Sequence, residues 1–192
     1  MEASDQRPAV VAVIGSPRHK GNTAALVDSA LEELERSGCD CTRIVLADQR
    51  INACDGHANC GERVCPHDDD MPGILEQVYS ADGLILATPI YYENVSGQMK
   101  TFMDRNATRY YHEELLAPKV VGLIAVAAES SADDTLGAMR RFVALSNPEE
   151  LPVVPLGALA EKPGDAAKDA GLMAEARALG RSMAEKLGLD PS

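Results

Sequence analysis

A chain of 192 residues with 45% hydrophobic and 25% charged side chains has ordinary globular composition. It is long enough to bury a real core and too short for a multi-domain machine. Thirty acidic against eighteen basic residues leave a formal charge of −12, which repels a nucleic-acid backbone and an anionic membrane face alike. One domain over 1–192 is expected, with neither nucleic acid nor membrane as a partner.

No uncharged run approaches the ~20 apolar residues that cross a bilayer. The opening Met-Glu-Ala-Ser-Asp-Gln-Arg-Pro has no apolar signal core, so the expected location is cytoplasmic. Of five cysteines, Cys54, Cys60 and Cys65 crowd one segment, which suits a metal or redox site in a reducing compartment better than a disulfide framework. Aromatics are scarce, yet four of the five tyrosines form two adjacent pairs, Tyr91-Tyr92 and Tyr110-Tyr111.

In chain order, apolar β-rich runs stand at Ala9–Gly15, Gly83–Pro89, Val120–Ala128 and Pro152–Ala160. They are nearly continuous rather than alternating, as in strands buried on both faces of a parallel sheet. A weaker strand is expected at Thr42–Ala47. Helical spacing of apolar residues marks Thr23–Arg36 and Leu172–Leu187, with shorter helices at Pro72–Ser80, Gln98–Arg105 and Asp134–Leu145. The order βαβαβαβαβα predicts an α/β, flavodoxin-like, doubly wound five-stranded parallel sheet of order 2-1-3-4-5 with helices on both faces. Ligands bind such sheets beyond the C-terminal strand ends. The connection Asp48–Met71 is over-long for a compact domain, which points to function or local folding there.

The loop after the first strand, Gly15-Ser16-Pro17-Arg18-His19-Lys20-Gly21-Asn22-Thr23, lies in a stretch from Gln6 to Val27 without an acidic residue. Two glycines for sharp turns, the hydroxyls of Ser16 and Thr23, the Asn22 amide and a helix N-terminus would together hold a phosphate. Neither Gly-x-Gly-x-x-Gly nor a Gly-Lys-Ser/Thr ending is present, which argues against dinucleotide-type and P-loop sites. The plainer alternative is a solvated turn with Asn22 as helix N-cap. The loop after the third strand, Thr88-Pro89-Ile90-Tyr91-Tyr92-Glu93-Asn94-Val95-Ser96-Gly97, carries one tyrosine pair. A flat ligand can lie against such a segment, or the tyrosines simply cover the sheet end.

Gly-Ser-Pro-Arg-x-x-Gly-Asn-Thr at 15–23 and Thr-Pro-Ile-Tyr-Tyr-x-x-x-Ser-Gly-x-x-Lys at 88–100, continuing to Phe102, Asp104 and Arg105, closely resemble the NADPH-dependent FMN reductase family of flavodoxin-like flavoproteins. The resemblance implies non-covalent FMN, with Ser16, Arg18, Asn22 and Thr23 at its phosphate and Pro89, Ile90, Tyr91, Tyr92 and Ser96 near the isoalloxazine. It also implies a homodimer or homotetramer. Relatives usually offer a glycine-rich loop after the fourth strand, where this chain has Ala127-Ala128-Glu129-Ser130-Ser131-Ala132.

The segment Cys54-x-x-His57-x-x-Cys60-x4-Cys65 precedes Asp68-Asp69-Asp70-Met71. It resembles the cysteine run of the iron-sulfur flavoprotein branch, with His57 at the second cysteine's place. Three thiolates and an imidazole at this spacing suit zinc or an iron-sulfur cluster, and a metal-free loop is the alternative. Asp69 and Asp70 read as caps of the next helix, and Cys39 and Cys41 as packing residues. Tyr110-Tyr111 reads as a lid or an oligomer contact. Arg105 and Arg109 offer positive charge to a dinucleotide, and His19 and His112 have no partner in the sequence.

The expected function is an FMN-dependent oxidoreductase that uses NAD(P)H and passes electrons to a small acceptor such as a flavin or quinone. The alternatives are an iron-sulfur flavoprotein-type electron carrier and a non-catalytic flavin-binding module. Because the cofactor carries the chemistry, no side chain is nominated as general acid or base.

Overall fold

The computed structural model describes residues 7–57, 60, 65–111, 116, 118–147 and 150–190. In chain order the elements are β1 (Ala9–Ile14), α1 (Asn22–Arg36), β2 (Asp40–Val45), α2 (Met71–Ser80), β3 (Gly83–Tyr91), β4 (Asn94–Val95), α3 (Gly97–Arg105), α4 (Ala107–Tyr111), β5 (Val120–Ala127), α5 (Asp133–Ser146), β6 (Val153–Leu159), α6 (Asp165–Lys168) and α7 (Ala170–Lys186). A single 3-10 turn, Leu46–Asp48, follows β2.

The parallel strands run in the order β2-β1-β3-β5-β6, and β4 pairs antiparallel with the end of β3. This is the expected flavodoxin-like order, with one two-residue strand added. The interior strands β1, β3 and β5 are buried along nearly their whole length, which explains their unbroken apolar runs. The edges differ. Strand β2 begins at Asp40 rather than Thr42, and the apolar Leu46-Ala47 belongs to the 3-10 turn. Strand β6, expected to be buried on both faces, is the other edge: Leu156 and Ala158 turn inward, while Pro155, Gly157 and Leu159 face out. Proline is tolerated at an edge, where its missing N–H leaves no inner ladder broken.

Each face of the sheet holds a core. One is built from α1 and α7, with Leu26, Ala30, Leu34, Ala176, Leu179 and Met183 against β1 and β5. The other is built from α2, α3 and α5, with Ile74, Leu75, Met99, Phe102 and Met139 against β3 and β5. Burying each large side chain contributes roughly 1.5–3 kcal/mol, so the two faces carry most of the stability. Helix α1 ends where Gly38 takes a left-handed φ of 101° and the Cys39 N–H donates back to the Leu34 carbonyl, the hydrogen-bonding pattern that closes many helices. Among the described residues, no helix is long and apolar enough to cross a membrane.

Register sets where a ligand can sit. Ile14 lies beside Ala87, Pro89 beside Val126, and Ala127 beside Leu159. The C-terminal ends of β1, β3, β5 and β6 therefore open onto one edge, at the point where the strand order reverses.

Candidate active site

The first strand leaves the sheet at Gly15, whose N–H donates to the Ala87 carbonyl at 2.8 Å and whose carbonyl accepts from Ser96 Oγ at 2.7 Å. A Cβ at Gly15 would meet Ser96 Oγ at 2.7 Å and Met99 Cβ at 2.8 Å, so only glycine lets this backbone lie flush under α3. Ser96 is wholly buried. It caps α3 by accepting from the Met99 N–H, and its own N–H donates to Thr88 Oγ1. The loops after β1 and β3 are thus fastened to each other before any ligand arrives.

Beyond Gly15 the chain turns twice. Ser16 Oγ accepts from the Arg18 N–H at 3.2 Å, and the Gly21 N–H donates to the Arg18 carbonyl at 3.0 Å. Gly21 is the N-cap of α1, and no acidic residue stands in the helix's first turn. The positive end of the helix dipole and the Arg18 guanidinium therefore face the same opening. The loop is tied sideways to the sheet edge by a contact of His19 Nε2 with Asp48 Oδ1 at 3.1 Å and by Arg43 Nη2 donating to the His19 carbonyl. His19 thus has the partner that the sequence alone does not reveal.

A cleft of about 100 Å³, open to solvent, is lined by Ser16, Arg18, Gly21, Asn22, Thr23, Pro89, Ile90, Tyr91, Val126, Ala127, Ala128, Ala160, Glu161 and Pro163. Of the nine residues singled out from the sequence for a cofactor, the fold brings seven to this lining. The other two lie elsewhere. Ser96 is spent on Gly15 and Met99, as described. Tyr92 is fully exposed at the tip of the β3–β4 hairpin, where both turn residues, Tyr92 at φ 51° and Glu93 at φ 59°, are left-handed. Asn22 lines the cleft, but it is the first residue of α1 and not its cap.

The loop at 127–132, noted from the sequence, supplies part of the outer wall, but the part from beyond β6 was not foreseen. Ala127 and Ala128 line the cleft from the end of β5, and Ala160, Glu161 and Pro163 come from the loop after β6. The available signal was an apolar strand running into Glu-Lys-Pro-Gly, a strand end followed by a turn. The residues fit FMN on two observations. A loop free of acids supplies donors at one end, and the Gly15 backbone, packed against Ser96 and Met99 with no room for a Cβ, fixes the ring loop beside it.

A second, smaller pocket lies at the far end of α3. Cys54, Asp55, His57, Cys60, Cys65, His67, Asp104 and Arg105 line it, with Ala107 and Thr108 from α4. Arg105 in its wall belongs to a buried ion pair. Arg105 Nη1 lies 2.6 Å from Asp69 Oδ2 and Nη2 lies 3.1 Å from Oδ1, with side chains 3% and 0% exposed. Arg105 also donates to the Asn52 carbonyl and to Cys65 Sγ at 3.4 Å. Asp69 accepts from the N–H groups of Asn52 and Met71 as well. Burial alone would raise the Asp69 pKa, but the hydrogen bonds from Arg105, Asn52 and Met71 outweigh it and hold it at about 2. Asp69 does more than cap α2, and Arg105 is sealed away from any dinucleotide. Arg109 stacks over the Tyr79 ring at 5.1 Å.

The four expected metal donors share this pocket. Cys60 Sγ stands 4.0 Å from His57 Nδ1, which in turn is 3.3 Å from Asp55 Oδ1. Burial, then the neighbouring Cys54 and Cys65, push the Cys60 thiol up. Among the described residues, no group of three or more His, Cys, Asp or Glu is arranged to hold a metal ion, and the Arg105 guanidinium sits against Cys65. The donor chemistry suits a metal, but this arrangement of the side chains does not. Cys39 and Cys41 lie apart, with the Cys41 thiol pushed up to about 12 by burial. Tyr110 and Tyr111 are exposed and edge-on to each other on α4, and His112 lies outside the described residues.

A doubly wound parallel sheet whose first and third strand-end loops meet at its switch point defines a flavodoxin-like α/β protein. The family model described as NADPH-dependent FMN reductase matches residues 8–156, and the chain belongs to that family, in the iron-sulfur flavoprotein branch. It is similar to an iron-sulfur flavoprotein of Methanocaldococcus jannaschii, 34% identical over 94% of this chain and 97% of the relative. An iron-sulfur flavoprotein of Archaeoglobus fulgidus is 38% identical over 69% of this chain, which spans 61% of that relative's length. Among solved structures, an NAD(P)H:quinone oxidoreductase from Methanothermobacter marburgensis shares the fold with a TM-score of 0.71, at 15% identity over 93% of this chain and 98% of that one.

Proposed function

We propose that the protein is an FMN-dependent oxidoreductase that takes electrons from NAD(P)H and passes them to a small acceptor of flavin or quinone type. The observation that carries this reading is the single cleft shared by the acid-free loop at 15–23 and the ring loop at 89–91. In this reading Ser16, Arg18, Thr23 and the first turn of α1 hold the phosphate of FMN, while Pro89, Ile90 and Tyr91 face its ring system. FMN, when bound, supplies hydride acceptance and electron release to the next substrate.

The chain's own part is to bind, orient and exclude water. The Gly15–Ser96 hydrogen bond keeps the two loops at a fixed separation, and the small Ala127 and Ala128 leave the outer side open to a second flat molecule. No side chain needs to move a proton for this chemistry. The reading extends to a homodimer or homotetramer, with the exposed Tyr110-Tyr111 pair as a contact surface.

Purified protein titrated with FMN, then assayed anaerobically for NAD(P)H oxidation with flavin and quinone acceptors in turn, tests the proposal. Uptake of one FMN per chain and acceptor-dependent oxidation are expected. A colourless protein that takes up no FMN overturns it. The electron-carrier alternative draws on the three thiols and imidazole that share the second pocket. It requires iron and acid-labile sulfide in anaerobically prepared protein, and their absence removes it.

A further inference from the structure

We propose that Asn22 is a positioning residue of the flavin cleft: its side chain builds the loop after β6 into the cleft wall and does not itself contact the phosphate. This rests on the reading of the cleft as an FMN site. A primary amide has two N–H donors and two acceptor lone pairs, and Asn22 uses all four on one segment. Its Nδ2 donates to the carbonyls of Ala160 at 3.1 Å and Lys162 at 2.9 Å. Its Oδ1 accepts from the N–H groups of Gly164 at 2.9 Å and Ala166 at 3.2 Å. Two carbonyls on one side and two N–H groups on the other allow only one orientation of the amide. Nothing is left over for a phosphate oxygen.

The pattern of contacts shows what this achieves. Residues 160, 162, 164 and 166 bind the amide, while Glu161 and Pro163 between them turn into the cleft. Gly164, at φ 85°, supplies the left-handed turn that aims its N–H back at Asn22. The Lys162 N–H is held by Asp165 Oδ2, which closes the loop on itself. A residue in the first turn of α1 thus fixes a wall more than a hundred residues away in sequence, at separations of 138 to 144. Aspartate cannot replace it, because a carboxylate would face two carbonyl oxygens. Alanine would leave four backbone groups to water.

The two roles separate by ligand. A direct phosphate contact would matter for FMN and not for riboflavin, whereas a displaced wall weakens both. Apo protein of the wild type, Asn22→Ala and the isosteric, uncharged Asn22→Leu is titrated with FMN and with riboflavin, and amide hydrogen exchange is followed at Gly164 and Ala166. The expected result is an equal loss of affinity for both flavins, roughly tenfold or more for several lost hydrogen bonds, with faster exchange at the two amides. Gly164→Ala strains the loop and leaves Asn22 in place, so it reproduces the paired loss even where the Asn22 variants fold poorly. A loss confined to FMN, with exchange at Gly164 and Ala166 unchanged, overturns the proposal and leaves the function standing. Wild-type protein that binds neither flavin overturns the function, and the proposal with it.

Discussion

The cleft proposed for FMN and the cysteine pocket sit at opposite ends of the same helix and are built by different means. At the N-terminal end of α3, the cleft is assembled largely by backbone: four strand ends in register, a glycine with no room for a Cβ, and a serine spent on capping. At the C-terminal end, the cysteine pocket is assembled by charge, beside one bidentate Arg105–Asp69 pair that is almost fully out of water. A site made by strand register inherits the stability of the sheet. A site made by a buried ion pair stands or falls with two side chains, because either partner left alone is an uncompensated charge.

Removing that pair is the strongest way to break the contrast. Arg105→Ala or Asp69→Ala should each destabilise the protein by about 3–5 kcal/mol, measured by denaturant unfolding of the apo form. The FMN affinity of the molecules that remain folded should stay within about twofold of wild type, since neither residue lines the cleft. A large loss of FMN affinity in folded Arg105→Ala would show the two regions to be one cooperative unit.

The same pair predicts an acid limb. Its neighbours hold the Asp69 pKa at about 2, below the ordinary 3.8, so the native state binds fewer protons than the unfolded chain between these values. The resulting stabilisation, about 2 kcal/mol at 1.36 kcal/mol per pKa unit, is fully present above pH ~4. It is lost as the pH falls towards ~2. Unfolding free energies measured from pH 5 to 2 should fall more steeply in the wild type than in Asp69→Asn, where Asp82, also held low by the Ala9 N–H and Lys119, still contributes. Equal slopes in the two proteins would remove Asp69 as its source.

The contrast also explains what could be read in the sequence. The cleft's two main loops are contiguous motifs, and each strand that feeds them is a continuous apolar run, so order and position follow from local pattern. The third wall was not legible, because Asn22 chooses its partners across 138 to 144 residues, and nothing in Ala-Glu-Lys-Pro-Gly names Asn22. The cysteine pocket was half legible. Spacing gathers Cys54, His57, Cys60 and Cys65, but the arginine that meets them lies 40 residues beyond Cys65. Asp69 looks from its neighbours like a helix cap. Edge exposure was the other blind spot: the predicted order already puts the last strand at an edge, but its unbroken apolar run reads as buried on both faces, whereas Pro155 and Leu159 face out.

The hairpin tip sharpens the comparison at the smallest scale. Tyr92 and Glu93 both hold left-handed φ in a two-residue turn, where asparagine and glycine are the residues that do so at little cost. Each pays on the order of 1 kcal/mol for the conformation. Tyr92→Asn combined with Glu93→Gly should therefore raise stability by about 1 kcal/mol, part of the gain being returned through the greater freedom of glycine in the unfolded chain. Because the Tyr92 ring projects into solvent and lines no part of the cleft, FMN affinity should be unchanged. The family resemblance places Tyr92 beside the ring system, so a tenfold loss of FMN affinity in this variant would mean that the tip folds inward over the bound cofactor. A raised Tm with the same FMN affinity keeps the cleft as the backbone-built site that Gly15, Ser96 and the strand ends define.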